Sequence, residues 1–452
     1  MSPLVRVLEQ RPQATILAIG AAFLLLYVLA VTAFAKPNGR IVDGDAIHYY
    51  VYLRSLVFDR DVDFQNDYTA IYGPSGLPRN LFRTQTGHLS NVVSIGPALL
   101  WMPFFLVAFA LAALARGLGL TAVPLDGISA PFQISAGVAG IFYATLGALL
   151  CYRTCRLVFA SRPAFWGTLA AWLTTPAIYY STVSPAYSHA TSMFAVALFV
   201  WFWLRTRGQR HLGRYALLGV LGGIAGLVRW QDLVIVVLPA LEAAVELRER
   251  PRDVAWITVR MAVMGLFLLF AFAPQMLAWR AIYGQSALVP GQSGYVRWRA
   301  PQVLAVLFGY KHGLLYWTPA VALAMVGLRW VIRRDALAGW GSALVVAIFV
   351  YVNGAADPGA GEGFGARRFV ADTVFFALGF AGLGAALTGE QAALRLRTGV
   401  LALAIYNGLF VVQYQLFMRG FRDLVAYPTT PWQILGERLV LPLRLLRRAF
   451  GG

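Results

Sequence analysis

The chain has 452 residues, of which 59% are hydrophobic and only 13% are charged. This composition excludes a soluble domain of that size and indicates a polytopic membrane protein. The formal net charge of +18 comes from arginine clusters that recur at every second loop. This is the positive-inside pattern of membrane topology, so the basicity does not indicate nucleic-acid binding.

Apolar runs long enough to cross a bilayer predict about twelve transmembrane segments joined by short connections. We therefore expect residues 1–452 to form a single all-α transmembrane domain without a separate soluble domain. The predicted segments lie near 14–34, 92–115, 132–158, 163–180, 189–205, 213–229, 231–247, 254–279, 313–331, 336–352, 367–388 and 398–418.

The loops separate into two predicted faces. If the arginine-rich loops are cytoplasmic, the opposite loops share a second face, which we call the working face. Its loops are 35–91, 117–131, 180–188, 229–232, 280–312 and 353–366. Two loops on the same face must be separated by an even number of membrane crossings. Only one apolar segment, 92–115, lies between the loops 35–91 and 117–131, so the predicted number of crossings is wrong by one. Pro97 and Pro103 offer a way to break that segment into a re-entrant or bent pair.

The working-face loop 35–91 opens on an acidic stretch, Asp43-Gly44-Asp45. Ionisable residues beside a first membrane span are candidates for function. The spacing of Asp45, His48, Tyr49 and Tyr52 predicts one face of a short helix along the membrane surface. The alternative is that Asp45 only caps this helix.

Further along the same loop, aspartates alternate over Asp59–Asp67 in the manner of a calcium loop. The glycine and the closing glutamate of an EF-hand are replaced by Phe64 and Ala70, so that motif fails. An irregular divalent-cation site and a solvated turn between two surface helices both stay open.

The acidic stretch Gly44-Asp45-Ala46-Ile47-His48-Tyr49 after the first span resembles the GT-C superfamily of membrane glycosyltransferases. That superfamily includes protein O-mannosyltransferases and the lipid A aminoarabinose transferase. Other stretches resemble bacterial sequences of this type, so the likeness covers most of the chain: 184–189 (SPAYSH), 227–232 (LVRWQD), 312–316 (HGLLY) and 363–369 (GFGARRF).

The resemblance implies a GT-C-type helical bundle whose periplasmic first loop contains short surface helices. It also implies an inverting transfer of a sugar from a polyprenyl-phosphate donor to an extracytoplasmic glycan, lipid or protein acceptor, in a bacterial inner membrane. On this match Asp45 takes the place of the catalytic aspartate. Ala46 stands where the superfamily usually has glutamate, and Asp43 is the candidate substitute.

The chemistry of glycosyl transfer needs a base for the acceptor hydroxyl and cations for the departing phosphate. We expect Asp45 to be desolvated, with few cations beside it, and therefore a better base. Arginine suits phosphate because its planar fork matches two oxygens. The predicted phosphate-binding residues are Lys311, His312, Arg367, Arg368 and Arg229. Alternatively, Arg367 and Arg368 anchor the chain at lipid headgroups, and Arg229 pairs with Asp232.

A second set of residues on the working face is predicted to bind the sugar or the acceptor: His48, Tyr49, Arg54, Tyr187, His189 and Glu362. A purely structural His189 and a merely solvated Glu362 are the alternatives. No cofactor is firmly indicated. The chain has no His/Cys cluster for a transition metal, although Asp43 and Asp45 leave a weak Mg²⁺ or Mn²⁺ site open.

Two other functions stay open. The first is a transporter or flippase of a lipid-linked or anionic solute, although the acids cluster in one loop and no repeat is visible. The second is a glycan polymerase or ligase that uses a diphosphate-linked donor. The tail 420–452 alternates leucine and arginine and predicts a basic amphipathic helix on the membrane surface.

Overall fold

The computed structural model describes residues 8–33, 40–73, 76–78, 81–287, 296–356 and 363–450. These residues form helices and turns, which confirms the predicted all-α class. The helices are α1 (Pro12–Ala33), α2 (Asp45–Phe58), α3 (Gln65–Tyr72), α4 (Gly96–Gly117), α5 (Ala130–Val158), α6 (Ser161–Leu173), α7 (Ala177–Thr182), α8 (Ser188–Thr206), α9 (Leu212–Val228), α10 (Val237–Glu249), α11 (Val254–Tyr283), α12 (Val303–Phe308), α13 (Leu314–Trp317), α14 (Ala320–Arg334), α15 (Ala336–Ala355), α16 (Thr373–Ala386), α17 (Glu390–Met418) and α18 (Glu437–Phe450). Three short 3₁₀ helices, Trp230–Val236, Pro251–Asp253 and Arg367–Asp372, precede α10, α11 and α16.

The multi-pass architecture follows from the apolar helices. Within the described residues, seven helices are long and apolar enough to cross a membrane. The other predicted runs are also helical but are shorter, less apolar or interrupted. The run 163–180, for example, divides into α6 and α7 at Thr174–Pro176, because proline cannot continue the hydrogen-bonded ladder of α6.

Helix α16 lies at the centre of the bundle. In an apolar stretch of 18 residues within Arg367–Ala386, 83% of the residues are buried. Small residues allow this packing, since a Cβ atom added to Gly327 of α14 would lie 1.9 Å from the carbonyl oxygen of Gly379 in α16. The 3₁₀ helix Arg367–Asp372 therefore begins on a fixed support.

Ion pairs between the arginine-rich loops show that these loops share one face, which we call the basic face. Arg207, after α8, pairs with Asp335, between α14 and α15. Glu9, before α1, pairs with Arg397 near the start of α17. The separation into two faces, predicted from the arginine pattern, is confirmed by these contacts.

Helix α4 corrects one expectation. It is continuous through Pro103 and is not a broken pair. Tyr143 of α5 donates to the carbonyl of Leu100, whereas Phe109 packs against Phe132, nearer the start of α5. Helix α4 is thus antiparallel to the first half of α5 and rises towards the working face.

The connections before and after α4 explain the failed count of crossings. Before α4, Asn91 donates to the carbonyl oxygen of His48 in α2. After α4, the carbonyl oxygen of Gly127 accepts from Tyr50, also in α2. Both loops therefore lie against α2 on the working face, as the arginine pattern predicted.

The C-terminal segment forms the predicted amphipathic helix, α18. Leu439, Leu443 and Phe450 are exposed along one side. Arg438 departs from the expected solvent-facing pattern, because it is 1% exposed and its guanidinium lies 3.6 Å from the ring centroid of Phe410 in α17. This cation–π contact fixes the start of α18 to the bundle.

Candidate active site

Asp45 contacts Arg367 across the mouth of the bundle. The Oδ2 atom of Asp45 lies 2.8 Å from Nη1 of Arg367, and the two side chains are 49% and 13% exposed. This Nη1 donates no hydrogen bond to any described residue, so the contact is an ion pair without hydrogen-bond geometry. The carboxylate predicted as the base and a cation predicted for the phosphate therefore meet in one site.

Two expectations about these residues are wrong. Asp45 is not desolvated and isolated from cations, because half of its side chain is exposed and an arginine faces it. It is also not a helix cap, since Gly44 holds the N-cap position of α2 and no side chain caps this helix. The interpretation of Arg367 as a headgroup anchor fails as well, because its charged end faces Asp45.

Glycine at position 44 allows the acidic stretch to approach the bundle. Gly44 has a φ angle of +59°, and a Cβ atom there would lie 2.3 Å from Oη of Tyr187. Both the left-handed backbone and the close approach favour glycine. The guanidinium of Arg367 lies 5.9 Å from the ring centroid of the same Tyr187. Tyr187 therefore packs beneath both partners of the ion pair.

Tyr180 holds the glycine-rich segment that carries the arginines. Its hydroxyl accepts from the Phe364 amide at 3.1 Å and donates to the Phe364 carbonyl at 3.3 Å. The Phe364 ring stacks on Tyr179 with 4.7 Å between centroids. These contacts fix the backbone just before Arg367. Sequence reasoning missed Tyr180, which is fully buried and carries no motif of its own.

A small cavity of about 30 Å³ opens beside Arg367. Its polar lining brings together three of the five predicted phosphate-binding residues, His312, Arg367 and Arg368, with Asn353 of α15. Lys311 is exposed, with its ammonium 5.9 Å from the ring centroid of Tyr310, and is not part of this lining.

Arg229 and His189 form a second polar group beneath Tyr49. Nη1 of Arg229 donates to Nδ1 of His189 at 3.1 Å and to Oγ of Ser188 at 3.3 Å. Ser188 in turn donates to the hydroxyl of Tyr49 at 2.9 Å. Because an arginine can only donate, Nδ1 of His189 is the acceptor and the ring proton is on Nε2.

The expected pairing of Arg229 with Asp232 is wrong. No ion pair joins these side chains in the part of the chain that the structure describes. Asp232 instead accepts a hydrogen bond of 2.5 Å from Ser192, while Arg229 contacts His189 and Ser188.

His48 and Arg54 take part in contacts within the first loop. Nδ1 of His48 lies 2.6 Å from the hydroxyl of Tyr68. Burial lowers the pKa of His48, and the neighbouring Asp45 partly offsets this effect. Arg54 lies at the far end of α2, where it pairs with Asp59 and Asp67. We therefore withdraw Arg54 from the sugar or acceptor site.

Asp67 is a buried carboxyl beside Arg54. Burial raises its pKa to about 6, although the charge and hydrogen bond of Arg54 act in the opposite direction. This stretch is a structured turn between α2 and α3, in which the Asp61 carboxylate accepts from Ser55 and the Asp63 amide. Glu362, predicted to bind the sugar or acceptor, lies outside the described residues.

The residues at the mouth do not fit a resident divalent cation. Asp43 and Asp45 supply two carboxyls, and one oxygen of Asp43 accepts from the Gly44 amide. Arg367 already places a positive charge beside Asp45. No group of three or more His, Cys, Asp or Glu side chains suited to a metal occurs among the described residues.

Asp372 was also missed from the sequence. It ends the 3₁₀ helix that begins with Arg367, and it is fully buried. An aspartate inside the apolar run 367–388 is the kind of residue that marks function in membrane segments. That position in the sequence was sufficient to single it out.

No family model and no curated protein matches the chain. Among solved structures, it is similar to ArnT from Cupriavidus metallidurans bound to undecaprenyl phosphate. The identity is 16%, the match covers 96% of this chain and 76% of that chain, and the TM-score is 0.49.

The chain is also similar to the archaeal oligosaccharyltransferase AglB from Archaeoglobus fulgidus, solved with an inhibitory peptide and a dolichol-phosphate. Here the identity is 13%, the coverage is 98% of this chain and 55% of that chain, and the TM-score is 0.46.

Proposed function

We propose that the protein is an inverting membrane glycosyltransferase that moves a sugar from a polyprenyl-phosphate donor to an extracytoplasmic acceptor, with Asp45 as general base. The observation that carries this proposal is the contact between Asp45 and Arg367 at a cavity lined by His312 and Arg368. A base and a cationic phosphate site are thus adjacent, as displacement at an anomeric carbon requires.

The donor phosphate would bind at Arg367 and Arg368, with His312 completing the cavity. Arg367 suits this role because Nη1 has no hydrogen-bond partner among the described residues. Charge-assisted hydrogen bonds to phosphate are about twice as strong as neutral ones. Because Asp45 faces Nη1 without hydrogen-bond geometry, a phosphate oxygen that forms such a bond competes well for the guanidinium.

Binding of the donor would then release the base. In the free protein the Asp45 carboxylate faces Arg367, and the approaching phosphate replaces it. The carboxylate, already half-exposed, can turn to the acceptor hydroxyl. This exchange couples occupancy of the donor site to the availability of the base.

The transfer itself balances as one displacement. The acceptor hydroxyl gives its proton to Asp45 while its oxygen forms a bond to the anomeric carbon. The bond from that carbon to the phosphate oxygen breaks, and its electron pair leaves with the polyprenyl phosphate. Arg367 and Arg368 stabilise the charge that develops on this leaving group. Tyr187 lies beside both charged residues of the ion pair, and the buried His189 would support the site through Arg229.

The acceptor and the compartment belong to the same proposal. We place the site on the periplasmic side of a bacterial inner membrane, because the arginine-rich loops occupy the opposite face. Lys311, exposed beside Tyr310, would meet the donor only as it enters the site. Tyr49 would support the site through Ser188 and Arg229, since it is buried.

The test is Asp45→Asn in purified protein. A panel of undecaprenyl-phosphate pentoses and hexoses, with a membrane extract as acceptor source, identifies a donor by the release of undecaprenyl phosphate. Turnover should then fall about 10²- to 10⁴-fold in the variant, with undecaprenyl phosphate binding retained. Asp63→Asn, at an exposed carboxyl of the same loop, should keep full turnover.

Two results would contradict this function. Retained turnover in Asp45→Asn would remove Asp45 as the base. Movement of a lipid-linked sugar across proteoliposomes by the wild-type protein, without a new glycosidic bond, would instead establish a transporter.

A further inference from the structure

Two buried carboxyls, Asp232 and Asp372, lie behind the arginines and have no role in the transfer described above. Both residues are 0% exposed. One oxygen of Asp232 accepts from Ser192 at 2.5 Å. The other oxygen of Asp232 and both oxygens of Asp372 accept no hydrogen bond from any residue that the structure describes. The 3₁₀ helices that contain the two residues pack against the same helix, α8, and the two carboxyls repel each other electrostatically.

Such an arrangement needs a bound positive charge. A buried carboxylate without partners is costly, and two neighbouring ones cannot both stay ionised in apolar surroundings. A metal ion would need more ligands than two carboxyls and a hydroxyl provide, and arginines stand nearby. A proton needs only the two carboxyls.

The segments that lead into the two residues carry the nearest positive charges along the chain. Arg229 precedes the 3₁₀ helix that contains Asp232, and it acts electrostatically on that carboxyl. Arg367 and Arg368 begin the 3₁₀ helix that ends at Asp372.

The other helices packed against the pair add little charge. His189 is the ionisable residue of α8 at this level, and it accepts from Arg229. Helices α15 and α16 contain no Asp, Glu, Lys, Arg or His. Helices α9 and α10 carry theirs at the basic face, where Arg214 pairs with Glu242.

We propose that Asp232 and Asp372 form an internal proton-binding pair that holds one proton in the free protein and takes up a second when the donor phosphate binds. The second step rests on the proposed function, because it requires phosphate at Arg367 and Arg368. In the free protein, one negative charge on the pair balances the arginines. The bound phosphate replaces that charge.

The pair responds differently from Asp45 because of burial. When phosphate takes Arg367, the half-exposed Asp45 keeps its contact with water. The buried pair has no water to replace the lost attraction, so uptake of a proton from solvent is its route to neutrality. Phosphate binding should therefore weaken as the pH rises, and part of that dependence should come from this pair.

The first experiment uses infrared difference spectroscopy on the free protein at neutral pH. The wild-type protein should show the carbonyl band of a protonated carboxylic acid, which Asp372→Asn and Asp232→Asn should remove and Asp63→Asn should keep. If the band is missing from the wild-type protein or persists in either buried variant, the shared proton is overturned.

The second experiment counts protons by titration calorimetry. Undecaprenyl phosphate is titrated into the purified protein at one pH in two buffers with different heats of ionisation. Ionisation of the ligand itself contributes equally to every variant. Asp372→Asn and Asp232→Asn should therefore lose most of the proton uptake of the wild-type protein, whereas Asp63→Asn should retain it.

The outcomes separate the two proposals. Binding with unchanged proton uptake in both buried variants would overturn the second proton and leave the proposed function intact. Failure of undecaprenyl phosphate to bind the wild-type protein would overturn the second proton together with the proposed function. The unfolding temperature of each buried variant is measured alongside, and an unchanged value shows that a loss of proton uptake does not come from unfolding.

Discussion

The two faces of the bundle use arginine in different ways. On the basic face, Arg207 makes two hydrogen bonds of 2.7 and 2.6 Å to Asp335, and the buried Arg214 donates to Glu242 at 2.7 Å. On the working face, Nη1 of Arg367 faces the half-exposed Asp45 without hydrogen-bond geometry. Arginines that are hydrogen-bonded to a carboxylate hold helices together. An arginine that faces a carboxylate without hydrogen-bond geometry, here called the incomplete arginine, is available to bind an anion.

The largest effect on phosphate binding should come from the incomplete arginine. Arg367→Gln should weaken undecaprenyl phosphate binding about 10- to 100-fold, equivalent to roughly 1.5–3 kcal/mol for a hydrogen bond to a charged group, with little change in unfolding temperature. Calorimetry and thermal unfolding measure the two quantities. Arg83→Gln, an exposed arginine in the first loop, is the control. Unchanged binding in Arg367→Gln would break the contrast between the faces.

The opposite result is expected on the basic face. Glu242→Gln leaves the buried Arg214 without its carboxylate, which costs about 3–5 kcal/mol of stability. The unfolding temperature should fall, and phosphate binding by the folded fraction should not change. Asp423→Asn removes a carboxylate from a pair that is 49% and 63% exposed, and it should change stability by less than about 1 kcal/mol. Equal losses in both variants would contradict the role given to burial.

Asp67 sharpens the comparison, because its pairing with Arg54 does not offset the cost of its burial. Since the folded-state pKa of about 6 lies above the ordinary aspartate value of 3.8, the unfolded chain loses its proton first as the pH rises. Stability should therefore fall as the pH rises from about 4 to about 6. Thermal unfolding across this range measures the slope, which Asp67→Asn should reduce. An unchanged slope in that variant would show that the pH dependence of stability comes from another group.

The smallest effect should follow removal of divalent cations. Because Arg367 supplies the positive charge beside Asp45, EDTA should leave turnover unchanged. The wild-type protein is assayed with and without excess Mg²⁺ after chelation. If EDTA abolished turnover and added Mg²⁺ or Mn²⁺ restored it, Arg367 alone would not supply the positive charge that Asp45 needs.

The positions of the helices were predictable, whereas their partners were not. Apolar runs located the helices because bilayer thickness fixes their length. The order of segments does not specify which loop residues meet, so Asp45 and Arg367 were assigned separately and their contact was not foreseen. The direction of α4 could not be predicted either, because it depends on contacts that the order of segments does not specify. Its composition is that of a spanning helix, and only its contacts with α5 show that it rises to the working face.

That helix also has a consequence for biogenesis. The 22 residues of Gly96–Gly117 are hydrophobic enough for the insertion machinery to treat them as a transmembrane helix. The loops before and after this helix nevertheless both lie against α2. Such a segment has no settled position in lipid until α5 provides the surface on which Phe105 and Phe109 pack. We therefore expect α4 to reach its final position after α5 has been synthesised, so that the acidic loop tethered to it is completed late in assembly.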